Sequence, residues 1–75
     1  MSSMDNFYFK IVKQIGVIHV GPGGWQKELN LVSWKGALPK YDLREWSPNH
    51  DKAGKGITLT KEEAEELKDL LEQEL

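Results

Sequence analysis

Two tryptophans and a handful of cations in the middle of this 75-residue chain are the residues whose types could bind something. Lys35 follows Trp34, Arg44 lies two positions before Trp46, and Lys52 and Lys55 flank Ala53-Gly54 ahead of Gly56. Flat rings and fixed positive charges suit a flexible polyanion. Rings stack bases, at about 1–3 kcal/mol per base with tolerance for any sequence, and cations track phosphates. Tyr41-Asp42-Leu43-Arg44-Glu45-Trp46 alternates, so a strand puts Tyr41 and Leu43 on one face and Asp42, Arg44 and Trp46 on the other. Taken singly, either tryptophan is more often core or dimer contact than base platform. The pair, on one face with Arg44, gives the binding reading its weight. Trp25, Lys27 and Lys40 are weaker candidates, with Lys10 and Lys13 behind them, because a surface lysine ordinarily does no more than solubilise.

Other chemistries find little support. Gly54-Lys55-Gly56 lacks the Gly-x-x-x-x-Gly-Lys-Ser/Thr spacing of a phosphate-binding loop, and no helix follows it directly. Without cysteine there is no thiolate zinc site and no disulfide, and His19 and His50 are far apart with no ligand spacing. Asp42 and Glu45 point to opposite faces of a strand, which suits a salt bridge from Asp42 to a neighbouring cation better than an acid/base pair. The expectation is a non-enzyme with no catalytic residues, metal or cofactor.

The elements that must hold these residues follow from patterning. Met1 to Asn6 has no periodicity and reads as a disordered lead, leaving 7–75 as one domain. Phe7 to Val20 is rich in aromatic and β-branched residues and reads as a long strand, or two joined, with Gly16 as a bulge or bend. Gly21-Pro22-Gly23-Gly24 closes a hairpin onto a return strand from Trp25 to Lys35. Leu29 and Leu31 share one face of it, and Asn30, Val32 and Trp34 the other. Gly36-Ala37-Leu38-Pro39 turns the chain into the third strand. Pro48 to Gly56 reads as a loop whose glycines let two lysines bend towards a ligand, and Ile57-Thr58-Leu59 is the fourth strand. Four strands in meander order imply an antiparallel sheet. Thr60-Lys61-Glu62-Glu63 is a capping box that starts a C-terminal helix, with Ala64, Leu67, Leu70, Leu71 and Leu75 as its apolar stripe. Packed on Leu29, Leu31, Tyr41, Leu43, Ile57 and Leu59, that stripe leaves Asn30, Trp34, Arg44, Trp46 and Thr58 on an open face.

A net charge of −2 argues mildly against a nucleic-acid ligand until the charges are placed. Residues 61–75 carry seven acids and two lysines, whereas residues 1–60 carry eight bases and five acids. The acidic helix alone is equally a solvated face, but the polarity is what a chain meeting phosphates on one side would show. A chain this short buries only a little over ~60% of its unfolded surface, so dimerisation is the expected further source of burial. No signal peptide or spanning segment is visible, and a soluble, cytoplasmic protein is expected.

Trp34-Lys35-Gly36, then Lys40 to Pro48, then Lys52 to Thr60 followed by a helix, form a three-part ordered pattern. It resembles the transcriptional-coactivator, or positive-cofactor-four, single-strand-binding family, most closely its small bacterial YdbC-like branch, where the likeness reaches back to Gly24-Trp25 and Lys27-Glu28-Leu29-Asn30. The resemblance implies an α+β fold: a four-stranded curved antiparallel sheet and a C-terminal helix, dimeric and Whirly-like. It also implies a single-strand channel formed by Trp34, Lys35, Arg44, Trp46, Lys52 and Lys55. This chain departs from the coactivators in lacking a further aromatic before Trp46 and in a loop before Gly56 shorter by a residue. The function so implied is sequence-tolerant binding of single-stranded DNA by a homodimer in transcription, replication or repair. Single-stranded RNA and a protein-interaction module using the tryptophan face are the alternatives.

Overall fold

The computed structural model describes residues 8–75, so the expected lead over 1–6, and Phe7 with it, lie outside the described residues. Strand β1 (Phe9–Val20) passes through a single turn of 3-10 helix at Pro22–Gly24 into β2 (Gln26–Trp34). Strands β3 (Lys40–Trp46) and β4 (Ala53–Leu59) follow, and helix α1 (Lys61–Glu74) ends the chain. The sheet has the order β1-β2-β3-β4 with every neighbouring pair antiparallel. This is the four-stranded meander and terminal helix that the alternation and the capping box predict.

Twelve residues of β1 pair with nine of β2. The register slips between Ile11 and Lys13, between Gln14 and Gly16, and between Val17 and His19, so Val12, Ile15 and Ile18 are the extra residues. A bulge bends its strand and increases the local twist. Three in succession coil β1 along its length, and Gly16 adjoins the middle one.

β4 begins four residues earlier than the sequence reading has it, and the physical reason lies in Gly56. It pairs with Arg44, and a Cβ built there would strike the Arg44 side chain and the Leu43 carbonyl. The glycine therefore permits two strands to close up. It is not a hinge, and Lys55 sits in a strand. The loop before β4 is likewise tied down: Ser47 N donates to Lys52 O (3.1 Å), His50 N to Ser47 O (2.9 Å) and Lys52 N to Ser47 Oγ (2.9 Å).

The larger difference concerns the faces. The face carrying Glu28, Asn30, Val32, Asp42 and Trp46 is the most buried part of the described molecule; Asn30 is 1% exposed and Trp46 0%. The expectation that Asn30 and Trp46 stand on an open face is therefore corrected. Coiling of β1 brings Phe9 to 4.9 Å from Trp46, ring centroid to centroid, and covers it. Helix α1 starts as predicted, with Thr60 Oγ1 accepting from Glu63 N and Glu63 Oε1 accepting from Thr60 N. None of its residues is buried, and Leu67, Leu70 and Leu71 are exposed. Between the helix and the sheet lies an apolar groove of about 710 Å³ lined by Ile15, Leu29, Tyr41, Leu59, Leu67 and Leu71 among others.

Candidate nucleic-acid interface

Trp34 ends β2, and the chain reverses through Lys35 and Gly36, both with positive φ (52° and 77°), closed by Ala37 N donating to Trp34 O at 2.9 Å. Two consecutive left-handed residues make a tight turn at the end of β2, after which Ala37 to Pro39 lead the chain into β3. Lys35 N donates to Tyr8 O (3.0 Å), and the Tyr8 hydroxyl lies against Gly36, so a side chain there would have to displace it. The Lys35 side chain is thus presented outward beside Trp34.

Arg44 is fixed from three sides. Its Nε donates to Asp42 Oδ1 at 2.7 Å, its Nη1 donates to Gly54 O at 3.0 Å, and its guanidinium carbon lies 4.7 Å from the centroid of the Trp34 ring. Trp34 Nε1 donates to the other oxygen of Asp42 at 3.3 Å. Asp42 is wholly buried, and it pairs with a cation as its place in the sequence suggests. Behind Trp34 the Trp46 ring lies parallel (7°) at 6.1 Å, and His50 flanks Trp46 at 5.6 Å. Trp46 therefore braces Trp34 from inside and offers no open face, while the Arg44 guanidinium lies over the Trp34 ring.

In front of these groups is a groove of about 480 Å³ lined by Trp34, Lys35, Ala37, Leu38, Lys40, Arg44 and Thr58. Three of the lining side chains are cations and none is an acid, a composition that attracts anionic chain. Of the sequence-derived candidates, Trp34, Lys35, Arg44 and Lys40 meet here. Lys55 and Lys27 meet elsewhere, around a slightly smaller groove of about 420 Å³ with Leu43, Glu45 and Ile57, on the helix side of the sheet. Lys52 is exposed at the end of the closed loop, and the Trp25 ring rests over Gly54, where a Cβ would come within 3.3 Å of it.

A polar cluster on the same face went unread in the sequence. Glu28, 3% exposed, accepts from Gln26 Nε2 (2.7 Å) and Asn30 Nδ2 (3.0 Å), and His50 Nε2 lies 3.0 and 2.9 Å from its two oxygens. Burial pushes the Glu28 carboxyl up, but the hydrogen bonds from Asn30, His50 and Gln26 and the charge of His50 outweigh it and leave the carboxyl below its usual range. The alternation Gln26, Glu28, Asn30 was the visible signal. The partner, His50, arrives from 22 positions away. Among the described residues no group of three His, Cys, Asp or Glu side chains could hold a metal ion.

The sequence pattern of the family described as Transcriptional Coactivator p15 (PC4) matches residues 22–70, a span that includes the basic groove, the polar cluster and most of the helix. An uncharacterized protein of Treponema pallidum (strain Nichols) is 43% identical over 67 residues, covering 89% of this chain and 79% of the relative. With the meander sheet, the terminal helix and a match over most of its length, this chain belongs to the Transcriptional Coactivator p15 (PC4) family.

Proposed function

We propose that the protein binds single-stranded DNA in the groove between the Trp34-Lys35 turn and β3, and does so as a homodimer. The observation that carries this reading is the acid-free lining, with Lys35, Lys40 and Arg44 around Trp34. The cations meet phosphates, and Trp34 with the guanidinium on it forms the surface over which a base stacks, since bases stack on both aromatic rings and arginine planes. Trp46 acts from behind by holding Trp34 in place. Lys52 and Trp25 stand further out along the track, while Lys27 and Lys55 lie on the helix side of the sheet and contribute only to the field. Membership of a coactivator family supports a place in transcription.

The dimer is supported by the groove beneath α1. Leu67, Leu70 and Leu71 are 38%, 52% and 46% exposed on an otherwise acidic helix, a pattern that leaves an apolar stripe half covered. A second copy of the helix is the natural cover, because burying these side chains contributes about 25 cal/mol per Å².

The test is a titration of tryptophan fluorescence with a short oligothymidine at several salt concentrations, with duplex as control. Quenching by the single strand alone is expected, with log affinity falling by about 0.7 per phosphate neutralised for each decade of salt. No quenching and no change in mobility at low salt would overturn the proposal. Sedimentation should give twice the chain mass, and a monomer at micromolar concentration would overturn the dimer.

A further inference from the structure

Glu28 and Asp42 lie on the sheet face that carries the basic groove, and both are covered: Glu28 is 3% exposed and Asp42 0%. A negative charge on such a face weakens its attraction for phosphate unless a cation cancels it. The two carboxylates are cancelled differently. Asp42 is held by Arg44, whose guanidinium keeps its charge at every pH a protein meets, whereas Glu28 is held by His50, and imidazoles lose their charge near neutrality. The compensation is permanent at one carboxylate and adjustable at the other.

The adjustable pair sits next to the groove. Glu28 stands opposite Arg44 in the β2–β3 register, and residues directly opposite on antiparallel strands have Cα atoms about 4.5–5.5 Å apart with side chains on one face. His50 Nε2 lies 3.0 and 2.9 Å from the two Glu28 oxygens, and its ring lies 5.6 Å from Trp46, which runs parallel to Trp34. The His50 side chain keeps 26% of its exposure, so a proton reaches it from solvent. Around the pair, β2 contributes Glu28 itself between the uncharged Gln26 and Asn30, and β3 contributes Arg44 and Asp42, which bond each other at 2.7 Å. The loop contributes Asp51, engaged by Ser47 Oγ at 2.7 Å, and β1 presents Gln14 and Val17, which carry no charge. Among the described residues, His50 is the one cation within salt-bridge distance of Glu28.

We infer that His50 is a positioning residue whose proton sets the strength of strand binding. Protonated, it cancels Glu28 and leaves Arg44 and the groove lysines to the phosphates. Neutral, it leaves an uncompensated carboxylate beside Arg44. The inference rests on the single-strand-binding reading and adds to it a dependence on pH. Linkage makes the coupling reciprocal, so a strand that binds the protonated form more tightly takes up protons as it binds. One charge about 10 Å from a phosphate changes affinity roughly twofold at the dielectric of water, and about fourfold at half that dielectric.

The experiment is a low-salt titration of the whole chain with oligothymidine, whose bases and phosphodiesters do not titrate near neutrality. Affinity is expected to be about two- to fourfold higher at about pH 5.5 than at about pH 8. Calorimetry near neutral pH in buffers of different ionisation enthalpy should show net proton uptake on binding. His50→Gln keeps an N–H donor for Glu28 but has no titrating ring, so it should flatten the profile and abolish the uptake. His19→Gln, near the end of β1, should keep both. The uptake is read on the wild-type protein and stands even if His50→Gln does not fold. A flat profile without proton uptake, or a profile that His50→Gln leaves unchanged, would overturn the inference and leave the basic groove intact. Failure of the strand to bind at either pH would overturn both.

Discussion

Arg44 illustrates why a residue's chemistry has to be read together with what it holds in place. Its guanidinium neutralises a carboxylate that is 0% exposed, so Arg44→Ala removes the proposed phosphate contact and strands Asp42 at once. Breaking a buried pair from one side costs on the order of 3 kcal/mol. A lower urea midpoint is therefore expected for Arg44→Ala, and lost DNA binding in that variant would not by itself define a contact. Lys35 and Lys40 are exposed and have no such duty. Lys35→Ala and Lys40→Ala should each leave the midpoint within about 0.5 kcal/mol and lower the salt slope by about 0.7. An unchanged slope in both would remove these lysines from the phosphate track. Gly56 is the other position where one atom decides. Gly56→Ala should lose about 2–3 kcal/mol, because the methyl meets Arg44 and the Leu43 carbonyl on the neighbouring strand. Gly16→Ala is the control: nothing lies within 4 Å of its new methyl. Equal midpoints for the two variants would show that the close approach of β3 and β4 is not limiting.

Helix α1 separates local stability from association. Its start is secured by the reciprocal bonds between Thr60 and Glu63, and Thr60→Ala should cost about 1 kcal/mol in any oligomeric state. Leu71 is nearly half exposed in the single chain, so Leu71→Glu should cost little if the helix works alone and should split the assembly if its stripe is shared. Sedimentation and the concentration dependence of the thermal midpoint distinguish these cases. A midpoint that does not rise with protein concentration would argue against the helix groove as the shared surface. Strand β1 works by the opposite logic: its three extra residues weaken regular pairing with β2 and in exchange wrap the strand until Phe9 reaches the two tryptophans.

Taken whole, the molecule is thin, with principal extents of 47 × 31 × 18 Å, and its Cα radius of gyration of 13.5 Å exceeds the roughly 11 Å of a compact chain of this length. A single sheet with one helix laid on it has no second layer to close its apolar side, which is the molecular form of the argument for a partner copy. The buried Glu28 also gives the fold a pH dependence. A carboxyl lowered in the folded state favours folding above its unfolded value, about 4.3, and the contribution is lost as pH falls through the depressed folded value. Stability is therefore expected to drop below about pH 4.3 and to drop less steeply in Glu28→Gln. Parallel acid-unfolding curves for the two proteins would overturn this assignment.

Sequence determined what is set by near neighbours. Alternation placed Tyr41 and Leu43 opposite Arg44 and Trp46, glycine and proline marked the reversals, and Thr60 with Glu63 marked the helix start, because strand pitch and capping depend on residues only a few positions apart. The ordered pattern around Trp34, Arg44 and Gly56 also identified the family. Tertiary structure decided which face is covered. Alternation sorts side chains onto two sides of a sheet but carries no information about which side the sheet curls around, and here the bulges of β1 curl it over Trp46. It likewise decided that Glu28 meets His50, a contact made only when the loop after β3 folds back across the end of β2. Both outcomes depend on register and curvature, which arise from pairings between distant segments and leave no mark at fixed spacing in the chain.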